Sequence, residues 1–250
     1  MRISGNTVLI TGGATGIGLA LADACVKSHN TVIICGRREH RLHEAQQKLA
    51  GIHTRTCDVT KAAERTALYE WAAAQFGNLN ILINNAGIQR SIDFRQGTAE
   101  LLSGADEIET NLKAPVHLSA LFIPMLLKQE QAAIINVSSG LGFVPSAAFP
   151  VYCATKAALH SFSRTLRHQL RDSSIRVVEI IPPFVRSELN MASRIRRGMQ
   201  DSGMDPEIVA AATLQALADE TFEVPVGDAE RLLMAARTQL EEAFRGMNGG

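Results

Sequence analysis

The chain lacks an excess of charge of either sign. Its 250 residues include 25 lysines and arginines and 25 aspartates and glutamates, so the formal net charge is zero. A chain without net charge offers no sustained field to a phosphate backbone or an anionic membrane surface, and nucleic acid is therefore not an expected partner. Hydrophobic residues (46%) and charged residues (20%) occur in globular proportions, which excludes disordered and collagen-like classes.

Cysteines are few and lie far apart in the sequence. Cys25, Cys35, Cys57 and Cys153 form no CxxC pair and lie near no histidine pair at metal-ligand spacing. We therefore expect no metal site and no disulfide framework. Reduced thiols are typical of the cytoplasm, and we expect a cytoplasmic protein.

Uninterrupted apolar runs are also missing. Residues 3–22 carry no charge, but five glycines break the apolar core that a signal peptide needs. Residues 131–155 are uncharged and long enough to span a bilayer, but two prolines and two glycines interrupt them. We expect no membrane insertion.

Short β-branched runs alternate with longer segments of helical period. The strand candidates are residues 7–10, 31–35, 54–57, 81–83, 134–137 and 176–180. Between the first two, Ile17, Ala20, Leu21 and Ala24 form the apolar face of a helix. Strands separated by helices are joined by right-handed crossovers, so the pattern predicts an α/β fold with a doubly wound parallel sheet.

The regular alternation weakens after Ile181. No linker or internal repeat divides the chain, so we expect one domain over residues 1–250. Within it we expect a substrate flap at about 186–205 and a C-terminal helical cap at about 206–250.

A glycine-rich loop follows the first strand candidate and leads into the amphipathic helix. Glycines allow the backbone to approach a pyrophosphate closely, and a helix N-terminus presents unpaired N–H groups to it. The residues expected to contact a dinucleotide are Gly12, Thr15, Gly16, Ile17 and Gly18. The alternative is a glycine turn that serves only helix–strand packing, but its position in the first βαβ unit favours a cofactor.

The end of the second strand bears on the choice of cofactor. NAD enzymes place an acid there to bind the ribose, whereas this chain has Gly36, Arg37 and Arg38. Glycine leaves room for a 2′-phosphate and a guanidinium can bind it, so NADP(H) is preferred and NAD(H) is possible. We expect Arg37 to make the contact; the alternative is a pair of solvated arginines.

Tyr152 and Lys156 stand four residues apart on a predicted helix, so their side chains are neighbours on one face. A tyrosine that exchanges protons near neutrality needs its pKa lowered, and we expect the lysine charge to lower it. Ser138 and Ser139 end the fifth strand candidate at the carboxyl edge of the sheet, where open α/β sheets bind ligands. One of the two hydroxyls could polarise a carbonyl.

Asn111 lies in a predicted helix over about 108–127, four residues before Pro115. Proline lacks the N–H that would bond to the carbonyl of residue 111, so we expect a free main-chain oxygen there. Such an oxygen can hold a water and pass protons to solvent. A kink without a chemical role is the alternative.

Together these motifs resemble the short-chain dehydrogenase/reductase superfamily, in its compact branch, over residues 5 to about 190. The resemblance is carried by TGGATGIG at 11–18, Asp58-Val59, Asn84-Asn85-Ala86-Gly87, Asn111, Ser139, Tyr152 and Lys156. It implies a Rossmann-type sheet, a nicotinamide cofactor and a catalytic set of Asn111, Ser139, Tyr152 and Lys156. Ser139 is chosen over Ser138 because the family serine stands thirteen residues before the tyrosine.

The resemblance also implies further cofactor contacts. Asp58 and Val59 would border the adenine, Lys156 would hold the nicotinamide ribose, and Asn85, Ala86, Gly87, Pro182 and Val185 would line the rest. Within the superfamily, NTVIICGR, NNAGIQR, PPFVRSEL and EVPVGDA are similar to the oxidoreductases grouped with the one encoded beside lipoteichoic acid D-alanylation genes. One departure supports this placement: the usual Pro-Gly after the sixth strand is Pro182-Pro183 here.

The expected function is hydride transfer between NADP(H) and a carbonyl or secondary alcohol of a small molecule, with Tyr152 as general acid/base. A non-catalytic NADP(H)-binding regulator is the alternative, although mere binding requires neither Tyr152 nor Ser139. A third possibility is an epimerase or dehydratase of the longer branch, which would need a glycine where Thr15 stands.

Two expectations concern surfaces. The helix over about 108–127 has more apolar residues than one sheet-facing stripe requires, so we expect a homodimer or tetramer, unless the C-terminal segment covers it. The flap contains Arg186, Arg194, Arg196 and Arg197 with Met191, Met199 and Met204. Inward guanidinium groups would select an acidic carbonyl compound, whereas hydrated ones would not.

Overall fold

A parallel sheet runs through the centre of the protein. The computed structural model describes residues 1–189 and 203–249. Within these residues the sheet has seven strands in the order β3-β2-β1-β4-β5-β6-β7. The strands are β1 (Thr7–Thr11), β2 (Thr31–Gly36), β3 (His53–Thr56), β4 (Ile81–Asn84), β5 (Ala132–Val137), β6 (Ile175–Ile181) and β7 (Glu223–Pro225).

Helices cover both faces of this sheet. They are α1 (Gly16–Lys27), α2 (Glu39–Lys48), α3 (Ala62–Gln75), α4 (Ala99–Leu102), α5 (Ala114–Leu126), α6 (Pro150–Gln169), α7 (Pro206–Asp219), α8 (Asp228–Thr238) and α9 (Leu240–Asn248). The doubly wound α/β fold predicted from the alternating pattern is confirmed. No helix in the described ranges is long and apolar enough to cross a membrane.

The core has two main layers because successive side chains of a strand point to opposite faces. On β1, Val8 and Ile10 pack in the layer that contains residues of α1 and α7. Leu9, between them, packs in the opposite layer with Leu68 of α3 and Phe122 of α5. Strands buried on both faces explain the nearly continuous apolar runs in the sequence.

The strand order reverses at β1, because β2 lies on one side of it and β4 on the other, both paired with it in parallel. The connections that leave β1 and β4 run in opposite directions along the sheet, so the loops after these two strands diverge and leave a crevice. The chain therefore places its ligand-binding edge where Gly12 and Asn85 begin their loops.

The six strand candidates are all present, with ends shifted by one or two residues. The C-terminal stretch differs from the expected helical cap, because it also contains β7, which pairs with β6 and completes the sheet. This strand was missed because it has only three residues and ends in Pro225, so it shows no alternation. α7 packs on α1, and α8 packs on β7 and the turn after β5.

The helix expected over 108–127 is not uniform. A π-helical turn, Glu109–Lys113, comes before α5, and the N–H of Ala114 donates to the carbonyl of Glu109. The wider turn accommodates Pro115, which has no N–H to give. The free main-chain oxygen expected at Asn111 stays a prediction.

Only the ends of the expected flap are described. Val185 and Met204 form a parallel bridge, which brings the two ends together. Arg186 is described, and its partly exposed guanidinium pairs with Asp205. Arg194, Arg196, Arg197, Met191 and Met199 lie outside the described residues, so the orientation of these three arginines stays a prediction.

Candidate active site

A cavity of about 390 Å³ lies along the carboxyl edge of the sheet at the crevice between β1 and β4. Every predicted site residue except Asn111 lines it. These residues are Gly12, Thr15, Gly16, Ile17, Gly18, Arg37, Asp58, Val59, Asn85, Ala86, Gly87, Ser139, Tyr152, Lys156, Pro182 and Val185. Residues from distant parts of the sequence thus meet in one elongated site.

The glycine loop forms a tight cradle at the start of α1. Gly12 and Gly16 have φ of +64° and +54°, a backbone region that strongly favours glycine. A Cβ atom on Gly18 would collide with the Gly12 carbonyl and lie 2.6 Å from Asn85 Nδ2, and one on Gly12 would lie 2.9 Å from Ala86 Cα. A tight turn and close helix–strand packing of this kind place the N-terminus of α1 where its N–H groups can bind a pyrophosphate.

Thr11 joins this loop to the end of β4, a role that the sequence analysis missed. Its hydroxyl accepts hydrogen bonds from the N–H groups of Asn85 and Ala86, both at 3.0 Å. In return, Asn85 Nδ2 donates to the carbonyls of Thr11 (2.9 Å) and Gly12 (3.2 Å). The only signal in the sequence was a threonine directly before the glycines.

One end of the cavity is rich in arginine. Arg37 is exposed at the rim, and its positive charge acts on Asp58. Burial would raise the pKa of Asp58, but hydrogen bonds from the N–H and hydroxyl of Thr60, with the charge of Arg37, hold that pKa below its ordinary value. Asp58 is therefore a carboxylate near neutral pH.

Arg38 is exposed to solvent, and it also forms an ion pair. Its guanidinium and that of Arg41 each lie 2.6 Å from one oxygen of Glu188. Glu188 follows β6, so this pair of contacts links the beginning of the expected flap to the start of α2. Neither Arg41 nor Glu188 was singled out from the sequence.

The other end of the cavity holds Ser139, Tyr152 and Lys156. Ser139 is hydrogen-bonded to the Tyr152 side chain and accepts from the N–H of Leu141 at 3.2 Å. Ser138 also lines the cavity, but its hydroxyl donates to the Ile180 carbonyl at 3.3 Å. Ser139 is thus the serine that contacts the tyrosine.

The expected lowering of the tyrosine pKa is not found in this structure. Burial raises the pKa of Tyr152 to about 12, an effect that the Ser139 hydrogen bond only reduces. Burial lowers the pKa of Lys156 to about 8. The ammonium donates to the Val137 carbonyl at 2.8 Å and lies 5.6 Å from the centre of the Tyr152 ring, so its nearest acceptor is the strand end rather than the phenol.

Asn111 lies behind the cavity wall. Its side chain accepts from the N–H of Ile88 at 2.9 Å and donates to the Ile88 carbonyl at 2.8 Å and to Thr155. A Cβ atom on Gly87 would lie 3.5 Å from Asn111 Oδ1 and 3.7 Å from Lys156 Nζ, so the asparagine and the lysine flank the same glycine. The side chain fixes the backbone after β4 beside the lysine.

Glu107 is a buried carboxyl group near this end that the sequence analysis missed. One oxygen accepts from the Arg90 N–H at 3.0 Å, and the other is buried with no hydrogen-bond partner among the described residues. Burial raises the pKa of Glu107, and its charge contributes to the raised pKa of Tyr152. No sequence pattern distinguished this acid from the exposed acids around it.

The fold and the cavity define the class of protein, and the chain belongs to the short-chain dehydrogenase/reductase family. The family model described as short chain dehydrogenase matches residues 6–198. The chain is 53% identical over 248 residues to the uncharacterized oxidoreductase DltE of Bacillus subtilis strain 168, with 99% of this chain and 98% of that protein covered. The family and group that the motifs indicated are confirmed, and the protein is an oxidoreductase.

Solved structures give the same result. A short-chain dehydrogenase/reductase from Burkholderia phymatum, solved with NAD, superposes with a TM-score of 0.87 at 25% identity and covers 100% of this chain and 98% of its own. The closed form of a serine dehydrogenase with NADP⁺ superposes with a TM-score of 0.79 at 27% identity, covering 88% and 94%. The glycine cradle fits such a cofactor, because side chains at Gly12 and Gly18 would push apart the backbone segments that form it.

The cradle generates a first prediction. Gly18→Ala should lower stability by about 1–3 kcal/mol, because the added methyl group overpacks the contact with the Gly12 carbonyl and Asn85. It should also weaken binding of a nicotinamide dinucleotide about tenfold, because the displaced loop no longer presents its N–H groups to the pyrophosphate. Fluorescence titration with NADPH measures the affinity, and thermal unfolding measures the lost stability.

Gly246→Ala is the matched control, because a Cβ atom there meets nothing within 4 Å. It lies inside α9, so we expect parental affinity and a gain of about 0.5–1 kcal/mol in stability. Parental NADPH affinity in Gly18→Ala would show that the close approach does not shape the binding site.

Proposed function

We propose that this oxidoreductase uses NADP(H) in preference to NAD(H) and transfers hydride between the nicotinamide and the carbonyl or secondary alcohol carbon of a small molecule. The observation that carries the proposal is one continuous cavity with two unlike ends. The glycine cradle and Arg37 lie toward one end, and Ser139, Tyr152 and Lys156 lie at the other. A dinucleotide along this cavity would have its adenosine at the arginine end.

Tyr152 is proposed as the general acid/base. A phenol with a pKa near 12 stays protonated at neutral pH, which is the form that donates a proton to the oxygen of a carbonyl undergoing reduction. Ser139, hydrogen-bonded to Tyr152, would hold the same oxygen and stabilise the charge that develops on it. In the oxidative direction Tyr152 would accept the proton instead.

Lys156 and Asn111 have supporting roles in the proposal. The Lys156 ammonium would bind the nicotinamide ribose, and its positive charge would favour the ionised form of the phenol. Asn111 would continue a proton path toward solvent through water, since its Oδ1 and the Lys156 ammonium both lie beside Gly87. Pro182 and Val185 would border the nicotinamide, and Asp58 and Val59 would border the adenine.

The preference for NADP(H) rests on the charges at the adenosine end. Gly36 leaves open space in the position where an acid would repel a 2′-phosphate, and Arg37 is exposed at the rim. Arg38 and Arg41 share Glu188, so a phosphate would compete with that carboxylate for them. Arg37 therefore remains the primary contact in the proposal.

The proposal includes at least a homodimer. On the helix over 108–127, Ile108, Leu112, Val116, Leu121 and Ile123 keep exposed or half-exposed apolar surface. The described C-terminal helices pack on α1, on β7 and on the turn after β5, which favours a partner chain over the C-terminal segment as the cover of α5.

The proposed location is the cytoplasm, where thiols remain reduced and the four buried cysteines stay free.

The catalytic proposal is tested by Tyr152→Phe. We expect turnover of any reactive carbonyl with NADPH to fall by about 10²–10⁴-fold, because the proton donor is removed, while the NADPH dissociation constant changes little. Absorbance of NADPH reports turnover, and fluorescence titration reports binding.

Tyr69→Phe is the matched control, because Tyr69 is the only other tyrosine and packs against Phe122, and neither residue lines the cavity. Its turnover should equal that of the parent. Full activity in Tyr152→Phe would remove Tyr152 from the mechanism and would favour another proton donor.

Cofactor choice gives a separate test. Arg37→Ala should weaken NADPH binding by about 1.5–3 kcal/mol through loss of a charge-assisted contact and leave NADH binding unchanged. Arg171→Ala, an equally charged change at the exposed end of α6, should alter neither dissociation constant. Equal losses for the two cofactors in Arg37→Ala would show that Arg37 does not meet the 2′-phosphate.

A further inference from the structure

A carboxyl group is buried in the sheet beneath the catalytic helix. On β6, Val177 packs in the apolar layer under α5 and α6, and Ile181 packs against α8. Glu179, between them on the same face, is 0% exposed. An acid in the middle of an apolar strand face is costly to bury, so its charge needs a compensating partner.

The position of Glu179 relates it directly to the active-site helix. α6 places Tyr152, Lys156 and His160 one turn apart on one face, since they are spaced by four residues. Glu179 Oε2 lies 2.7 Å from His160 Nδ1. Its other oxygen, Oε1, is buried with no hydrogen-bond partner among the described residues. The carboxyl group therefore has one fixed contact and one free oxygen under this row of side chains.

Lys156 is another buried ionisable group on this side of the sheet, and the charge of Glu179 acts on it. Burial lowers the pKa of Lys156, and the charge of Glu179 acts in the opposite direction and raises it. A buried ammonium next to a buried carboxylate retains its proton more readily than an isolated one. The hydrogen bond from Lys156 to the Val137 carbonyl orients the ammonium but supplies no charge.

Other charged groups on the surrounding elements are engaged elsewhere. Glu223 of β7 faces arginines of α6 and α8, Lys113 pairs with Glu109 on the π-helical turn, and Arg231 of α8 pairs with Asp228. Glu107 acts on Tyr152 and Cys153. β5 contributes no titratable side chain. Among the described residues this leaves Glu179, held by His160 and adjacent to Ile180, as the carboxylate that acts on Lys156. Ile180 is the register partner of Val137, whose carbonyl accepts from the Lys156 ammonium.

We propose that Glu179 is the counter-charge of Lys156, a positioning residue that keeps the buried ammonium protonated, with His160 fixing the carboxylate in place. His160 would donate its Nδ1 proton to Glu179 Oε2, which leaves Oε1 to face the lysine side of the site. The consequence for the reaction rests on the proposed function: without Glu179, Lys156 would be neutral over part of the working pH range.

The test is a direct titration of Lys156 by NMR in the full-length protein labelled with ¹³C at lysine Cε. The chain has six lysines, and Lys156→Arg assigns the signal. In the parent, Lys156 should titrate near pH 8. In Glu179→Gln its midpoint should fall by about one pH unit, because the charge that favours the ammonium is gone. A midpoint equal to that of the parent would overturn the proposal.

Glu223→Gln is the matched control, the same substitution at the residue paired with Glu179 in the sheet register. Its carboxylate faces arginines, so the Lys156 midpoint should not move; an equal shift in both variants would show a general field effect and would also overturn the proposal. If Glu179→Gln does not fold, Glu179→Asp and Glu179→Asn replace it. The aspartate should keep the Lys156 midpoint closer to that of the parent than the asparagine does, and equal midpoints in these two variants would count against the counter-charge.

This titration requires neither substrate nor cofactor, so its result is independent of the proposed reaction. The pH profile of NADPH oxidation is then compared in the same variants. We expect the high-pH decline of turnover in Glu179→Gln to move to lower pH by the same amount as the NMR midpoint. A shifted midpoint with an unmoved profile would support the counter-charge and refute the proposed role of Lys156 in the reaction.

Discussion

The hydrogen bonds between Thr11 and Asn85 hold the site together. They join the loop after β1 to the end of β4, two paired strands whose following loops diverge to leave the crevice. Because Gly12 and Gly18 carry no side chains, the two backbones can approach closely enough for these bonds to form. From Asn85 the chain passes through Gly87 to Ile88. The Asn111 side chain forms hydrogen bonds with both the N–H and the carbonyl of Ile88. The glycine cradle and the Tyr152–Lys156 end are thus parts of one hydrogen-bonded assembly.

Much of this arrangement could be predicted from sequence because it depends on local rules. Strand runs, the glycine loop and the spacing of Tyr152 and Lys156 each carry their signal within a few residues. β7 could not be predicted, since a three-residue strand ending in Pro225 becomes a strand only by pairing with β6. The ion pairs of Glu188 with Arg38 and Arg41 join residues about 150 positions apart in the sequence. No local sequence pattern predicts such contacts.

Electrostatics was the least predictable part of the site. From spacing, Lys156 was expected to lower the pKa of Tyr152, but burial dominates and raises it to about 12. Spacing on a helix fixes which side chains are neighbours, whereas the pKa depends on how much protein surrounds them. Glu107 and Glu179 illustrate the same point. Both are buried, and their charges act on the pKa values of Tyr152 and Lys156, but no sequence pattern separates them from surface acids.

We propose that a dinucleotide lies along the cavity with its adenosine ribose at Arg37 and its nicotinamide at Tyr152. The crystal structure of the protein in complex with NADP⁺ tests this claim most directly. We expect the 2′-phosphate within hydrogen-bond distance of the Arg37 guanidinium, the pyrophosphate over the Gly12–Gly18 loop, and the reactive ring carbon facing the Tyr152 hydroxyl. A nicotinamide ring at the arginine end, or a 2′-phosphate held away from Arg37, would contradict it.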